Sequence, residues 1–296
     1  MIQSNFKKGA VAFLDVLGWK GIWQRRQNVL NEFNNFYDNI TTFINYYNDI
    51  LVPPYTSKEL KFKDFEINVS ILSDTIIIIC SKLEKTSEHE SIICSEELEI
   101  LSVVCSFIMA QGFVLGFPFR GALNYGEFSC SSLEFNSSSN PSSNIPSTYL
   151  GPAIDEVAYW YECHNDIGVI IIPSNQVYDT ISKLNPNKLI SFHAPFVCKT
   201  TTLKSAYILN WPLMYAHPHC KSILSVSNNI TYDTYDDLYN LLIHSLDYLS
   251  PTIIQPEIYA KISSARNLFE KSSSLLEKLL SPTKKEDLHE TIYPCS

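Results

Sequence analysis

The chain has 296 residues, 45% of them hydrophobic, and a formal net charge of -9 at pH 7. That apolar content supplies a sizeable core and excludes global disorder, and the length suits one large domain or a catalytic domain with a helical appendage. The acidic balance argues against a sequence-independent nucleic-acid binder, which needs a basic surface. A small anionic ligand stays open, because a local basic pocket or a bound metal outweighs the global sign.

The opening MIQSNFKKGAVAFLDVLGW does not read as a signal peptide, since its apolar run is interrupted at Asp15 and no small-residue cleavage site follows. No stretch reaches the roughly 18 uncharged apolar residues of a membrane span. The eight cysteines are scattered without a C-x-x-C pair, which predicts reduced thiols in a cytoplasmic protein rather than a disulfide framework. His217-Pro-His219-Cys220 lacks a second ligand pair and reads as a structural or loop segment.

Ala10–Leu17 predicts a buried strand with one aspartate. Apolar residues at helical spacing over Asn28–Ile50 predict a helix that ends before Pro53-Pro54. Phe65–Leu72 and Thr75–Cys80 predict a hairpin turning at Ser73-Asp74. Ser95–Gly112 reads as an apolar helix, Phe119–Phe128 as a strand, and the Ser/Asn/Pro-rich stretch 131–147 as a flexible loop. Gly151–Cys163 starts Gly-Pro and predicts a helix. Val169–Ile172 and Ala206–Leu209 read as strands, and the pattern from Tyr232 onward is helical. The predicted class is α+β, an antiparallel sheet with helices on one face. The predicted division is a catalytic domain over 1–215 and a mainly helical extension over 216–296.

Asp15 and Asp74 stand in otherwise apolar strands, where an unpartnered carboxylate is costly. Divalent cations would offset that cost, since hard ions prefer carboxylate oxygens and a pair of them clamps a triphosphate. A turn cap or an ion pair with lysine or arginine would offset it as well. Gly18, just after the first strand, allows close backbone approach to a phosphate and equally suits a plain tight turn.

Five segments in order resemble the class III nucleotidyl cyclases. VAFLDVLGWKG resembles their first metal motif, VSILSDTIIII the hairpin with the second metal aspartate, and FRGALNYGEF the strand opened by an arginine. YLGPAIDEVAYWYE resembles their ribose-positioning helix, and CKTTTLKSAYILNW the sheet segment with a phosphate-binding lysine. The resemblance implies a ferredoxin-like palm working with two divalent ions, Mn²⁺ or Mg²⁺. It implies metal ligation by Asp15, Asp74 and the Val16 carbonyl, with Phe13, Leu17, Gly18 and Trp19 at the substrate. Arg120 and Lys199 match as basic groups for the phosphates. Where the family carries an asparagine and a transition-state arginine, this chain has Asp155 and Tyr159. Losing that arginine weakens stabilisation of the pentavalent phosphorus unless another cation replaces it.

The family's base-selecting positions hold Ser70 and Thr148, two hydroxyls that reproduce neither the adenine nor the guanine code. The phrases RGALNYGE and GPAIDE resemble the bacterial pyrimidine cyclases of the Pycsar anti-phage system. That resemblance implies conversion of UTP or CTP to the 3′,5′-cyclic monophosphate, read by a separate effector. It also implies a homodimer with interfacial sites, Asp15 and Asp74 from one protomer and Thr148, Asp155 and Tyr159 from the other. Nucleic-acid and membrane partners are not expected. A purine cyclase with an unusual pocket, a silent nucleotide-binding module and a polymerase-like two-metal palm are the competing readings. Among the aromatics, Tyr125, Tyr149 and Tyr159 are candidates for base stacking.

Overall fold

The computed structural model describes residues 6–17, 26–46, 60–83, 90–132, 146–162, 168–184, 189–192, 196–197, 202–203, 206–249 and 256–280. Gly18, Trp19 and Lys199 lie outside the described residues, as do 133–145 of the Ser/Asn-rich stretch.

The strands are β1 (Lys7–Val16), β2 (Phe65–Leu72), β3 (Thr75–Lys82), β4 (Phe119–Ser132), β5 (Pro146–Leu150), β6 (Ile170–Ile172), β7 (Leu189–Phe192), β8 (Phe196–Val197), β9 (Thr202–Leu203) and β10 (Ala206–Leu209). The helices are α1 (Val29–Tyr46), α2 (Glu90–Val114), α3 (Pro152–Tyr161), α4 (Asn175–Leu184), α5 (Pro218–Asn228), α6 (Tyr235–Leu249) and α7 (Pro256–Leu280). The main sheet runs β2-β3-β1-β4-β6-β10-β7, with β5 paired to β4, while β8 and β9 form a separate pair. Its pairs are antiparallel except β4 with β6, which is parallel. This is the expected α+β architecture with a mostly antiparallel sheet.

β1 is an interior strand between β3 and β4 and is apolar on both faces. Ala10, Ala12 and Leu14 face α2 and join the large core, whereas Val11 and Phe13 face α3. The helical layer of α1, α2 and their neighbours covers the first face, as expected. One helix departs from that layout: α3 sits on the opposite face, with Ala153, Ile154 and Val157 against Val11, Phe13, Ile77, Ile79 and Ala122. The second apolar face of β1 and β3 demands this cover. A Cβ at Gly126 would stand 3.2 Å from the Ala153 Cβ, so glycine lets α3 approach β4 closely.

α2 is apolar enough all round to pass as a membrane span by length and composition over Cys94–Val114. Burial accounts for that composition, because 94% of the apolar window is inside the protein.

One expectation shifts: the stretch 131–147 is strand at both described ends, where Ser131 faces Thr148 and Ser132 faces Pro146. His217-Pro-His219-Cys220 takes a structural role, opening α5. The His217 ring nitrogen accepts from the His219 N–H, and Pro218 occupies the first helical turn. Helix α4 and strand β7 were not expected.

The C-terminal helices share the large core. Trp211 donates its indole N–H to the Gly168 carbonyl at 2.6 Å, and its ring packs edge-on against Phe269 of α7. Cys220, Leu224, Leu238, Leu242, Leu268 and Leu276 belong to the same buried cluster as Leu14. Among the described residues the cysteines are thiols, with Cys80, Cys94, Cys105 and Cys220 buried.

Candidate active site

The β2–β3 turn consists of Ser73 and Asp74, with Ser73 at φ 60°. Such a tight turn keeps the hairpin tip beside the end of β1. A backbone bond fixes it there, the Val16 N–H donating to the Asp74 carbonyl at 2.8 Å. Two carboxylates from distant parts of the sequence thereby meet at one rim of the sheet. Asp15 lies between its cross-strand neighbours Thr75 and Arg120.

Arg120 reaches across to Asp15, its Nε and Nη2 each 3.0 Å from Oδ2. Both side chains are largely shielded from solvent. Burial pushes the Asp15 carboxyl above its usual range. Arg120 pulls it back down, the Asp74 charge pushes it up, and a hydrogen bond with Thr75 lowers it. The two carboxylates are thus close enough to repel.

Tyr161, at the end of α3, completes this rim. Its ring lies 5.7 Å from the Arg120 guanidinium carbon and 5.9 Å from the Phe13 ring. Burial raises the Tyr161 hydroxyl above its ordinary value, and the charges of Asp15 and Asp74 add to that rise. Phe13 is buried beneath Tyr161. Sequence reasoning missed Tyr161 and Thr75. The available signals were the Thr directly after Asp74 and the aromatic run Tyr159-Trp160-Tyr161.

The other predicted residues fall into three groups. Leu17 donates its N–H to the Pro118 carbonyl at 2.8 Å and packs its side chain against the core. Ser70 on β2 has its hydroxyl hydrogen-bonded to the Tyr149 hydroxyl of β5, whereas Thr148, the preceding residue of β5, pairs with Ser131 of β4 and alternates to the other face. Asp155 is exposed in the first turn of α3, and Tyr159 is 37% exposed with its ring edge-on to Trp160. Helical spacing turns Tyr159 away from the side on which Tyr161 meets Arg120. Within one chain, Asp15 therefore has Thr75, Arg120, Asp74 and Tyr161 around it.

Among the described residues no group of three or more His, Cys, Asp or Glu side chains gathers as a metal site. Asp15 and Asp74 offer hard carboxylate donors in mutual repulsion, a donor set suited to a divalent cation and completed by other oxygens. Arg120 holds Oδ2 of Asp15.

No family model and no curated protein matches the sequence. Among solved structures, the chain is similar to the adenylyl cyclase CyaB from P. aeruginosa, with 14% identity and a TM-score of 0.45, over 69% of this chain and 94% of that one. It is also similar to a bacterial light-regulated adenylyl cyclase, with 12% identity and a TM-score of 0.44, over 77% of this chain and 59% of that one.

Proposed function

We propose that this chain is a nucleotidyl cyclase that converts UTP or CTP to the 3′,5′-cyclic monophosphate and pyrophosphate. The observation that carries this reading is the meeting of Asp15 and Asp74 at one rim, joined by the Val16–Asp74 backbone bond. A merely structural aspartate explains one of them, since Arg120 satisfies Asp15. It does not explain a second carboxylate beside it that raises the first.

Mn²⁺ or Mg²⁺ held by Asp15, Asp74 and the Val16 carbonyl would neutralise triphosphate charge and favour ionisation of the ribose 3′-hydroxyl. The reaction is attack of the 3′-oxygen on the α-phosphorus, with the bond to the β-phosphate breaking and pyrophosphate leaving. Arg120 holds Asp15 in orientation and brings positive charge to the rim. Phe13 and Tyr161 wall the rim with apolar surface, which strengthens charge interactions by excluding water.

The working unit is a homodimer, with Asp155, Tyr159 and Thr148 of one protomer facing the carboxylates of the other. Support comes from exposed apolar side chains around this face: Leu72 next to the hairpin turn, Leu150 before α3, and Tyr159 on it. The pyrimidine preference rests on Ser70 and Thr148, which lack the purine-reading side chains. A role as a source of second messenger for a separate effector in anti-phage defence follows from the RGALNYGE and GPAIDE resemblance.

A silent nucleotide-binding module is the second reading. It is favoured by the Arg120 grip on Asp15 and by Tyr159 in place of a cation. Incubating the purified protein with each of the four ribonucleoside triphosphates and Mn²⁺, with mass analysis of products, separates the two. Cyclic UMP or cyclic CMP is the expected product. Triphosphate binding without product supports the silent module, and a cyclic purine product overturns the substrate class.

A further inference from the structure

We propose that Arg26 is a positioning residue of this site: it holds the turn between α2 and β4, and through that turn it fixes where Arg120 meets Asp15. The proposal deepens the cyclase reading and rests on it.

Helix α2 ends in a glycine-capped turn. The Phe117 N–H donates to the Gly112 carbonyl at 2.7 Å and the Gly116 N–H to the Phe113 carbonyl at 3.2 Å, with Gly116 at φ 75°. This double bond pattern satisfies two of the last helical carbonyls. The carbonyls that follow, of Leu115 and Gly116, accept from Arg26, whose Nη2 and Nη1 each donate at 3.0 Å.

The guanidinium carbon of Arg26 also lies 4.6 Å from the centre of the Phe117 ring, and Nη2 pairs with the Glu32 carboxylate in the first turn of α1. A Cβ at Gly116 would stand 3.1 Å from Nη1, so glycine leaves the guanidinium its room. A positive group is favoured at a helix C-terminus by the helix dipole. Charge alone does not account for the arrangement, because only a planar fork reaches two carbonyls while covering a ring.

The turn leads straight into the rim. The Pro118 carbonyl accepts from the Leu17 N–H at 2.8 Å, Phe119 stands opposite Val16, and Arg120 stands opposite Asp15. Phe117 packs on Phe33 and Phe36 of α1, and Phe36 stacks on Phe119. Arg26 thus ties α1, the turn and the start of β4 into one unit. Val16 in turn bonds the Asp74 carbonyl, so the strand end held by this unit is the one that brings the two carboxylates together. A shift of the turn passes to Arg120 within a few residues, and misplacing a reacting group by about 1 Å costs on the order of 100-fold in rate.

The test is kcat and KM for UTP and CTP with Mn²⁺ in the full chain, Arg26→Met and Arg26→Lys, at a temperature where circular dichroism shows each folded. Amide hydrogen exchange at Val16 and Leu17 is followed alongside. Arg26→Met is expected to lower kcat at least about tenfold with KM within about threefold, and to speed exchange at both amides. Arg26→Lys keeps the charge and the aliphatic stem if the methionine variant unfolds, and is expected to lose at least about threefold in kcat because it cannot bond both carbonyls. A folded variant that lowers the melting temperature but keeps wild-type kcat, a loss confined to KM, or unchanged exchange at Leu17 overturns the proposal. Wild type that forms no cyclic product from any triphosphate overturns the cyclase reading with it. Product from wild type with unchanged kcat in the variants sinks this inference alone.

Discussion

Arg120 sets two guanidinium nitrogens on one oxygen of its cross-strand neighbour Asp15, Nε and Nη2 both 3.0 Å from Oδ2. The pair holds a desolvated carboxylate charged at the edge of an apolar face. Arg120→Ala leaves that charge without its partner and should cost about 1–3 kcal/mol of stability. Asp15→Asn in the Arg120→Ala background should restore much of the loss, because the stranded charge is gone. Urea unfolding of the two single variants and the double variant at pH 8 checks this. Additive losses would contradict direct coupling.

Glu97 on α2 is buried and raised to about 7, chiefly by desolvation. The Lys82 N–H donates to its Oε1 at 2.7 Å, and Tyr125 and the Lys82 charge also favour ionisation. Glu96 opposes it, and Oε2 has no hydrogen-bond partner in the protein. The folded state thus holds a proton that the unfolded state releases near pH 4.5. This stabilisation is fully present below about pH 4.5 and is lost as pH rises through about 7. At about 1.4 kcal/mol per pKa unit, the span is on the order of 3 kcal/mol. Glu97→Gln should flatten that part of the stability profile, measured as melting temperature from pH 4.5 to 8. Parallel profiles for the two proteins would refute it.

Two glycines of β4 should respond differently to alanine. A Cβ at Gly121 would meet the Phe13 carbonyl oxygen at 2.3 Å, and backbone cannot yield cheaply. Gly121→Ala should cost more than about 2 kcal/mol and disturb the β1–β4 pairing beside Asp15. At Gly126 the obstacle is the Ala153 Cβ at 3.2 Å, which α3 can relieve by moving a few tenths of an ångström. Gly126→Ala should therefore stay folded with a loss of less than about 1.5 kcal/mol. Melting curves of the two variants give the comparison, and equal losses would contradict this account of α3 packing.

Phe269 ties α7 to the core, its ring 5.2 Å from Trp211 and 5.5 Å from Phe113. Phe269→Ala should cost about 3–5 kcal/mol. A detachable C-terminal appendage would instead show a change near zero in chemical denaturation.

Much of the site was legible because its signals are local. An aspartate ending an apolar run and another in a two-residue turn are visible as exceptions to strand patterning, and the hairpin follows from the turn itself. Gly-Pro marked the start of α3, where Gly151 at φ 134° leaves no room for a Cβ beside the Glu127 carbonyl. Long-range placement was not legible. Nothing in the order of residues says that Tyr161 closes over Arg120, or that Tyr149 reaches Ser70. The helix α4 buries Val177 and Ile181 in its ten residues, too short an apolar stripe to stand out. α5 was hidden by its cap, because a histidine ring does the work usually given to Ser, Thr, Asp or Asn. The stretch 131–147 was misread at its ends, since Ser132 and Pro146 pair as strand despite a composition typical of loops.

The most direct test of the central claim is cyclic product formation by wild type, Asp15→Asn and Asp74→Asn with UTP, CTP and Mn²⁺, after each variant is shown to be folded. The account predicts a cyclic pyrimidine nucleotide from wild type and a loss of at least about 100-fold in each variant, about 2.7 kcal/mol of transition-state stabilisation. Unchanged product in either folded variant would contradict it.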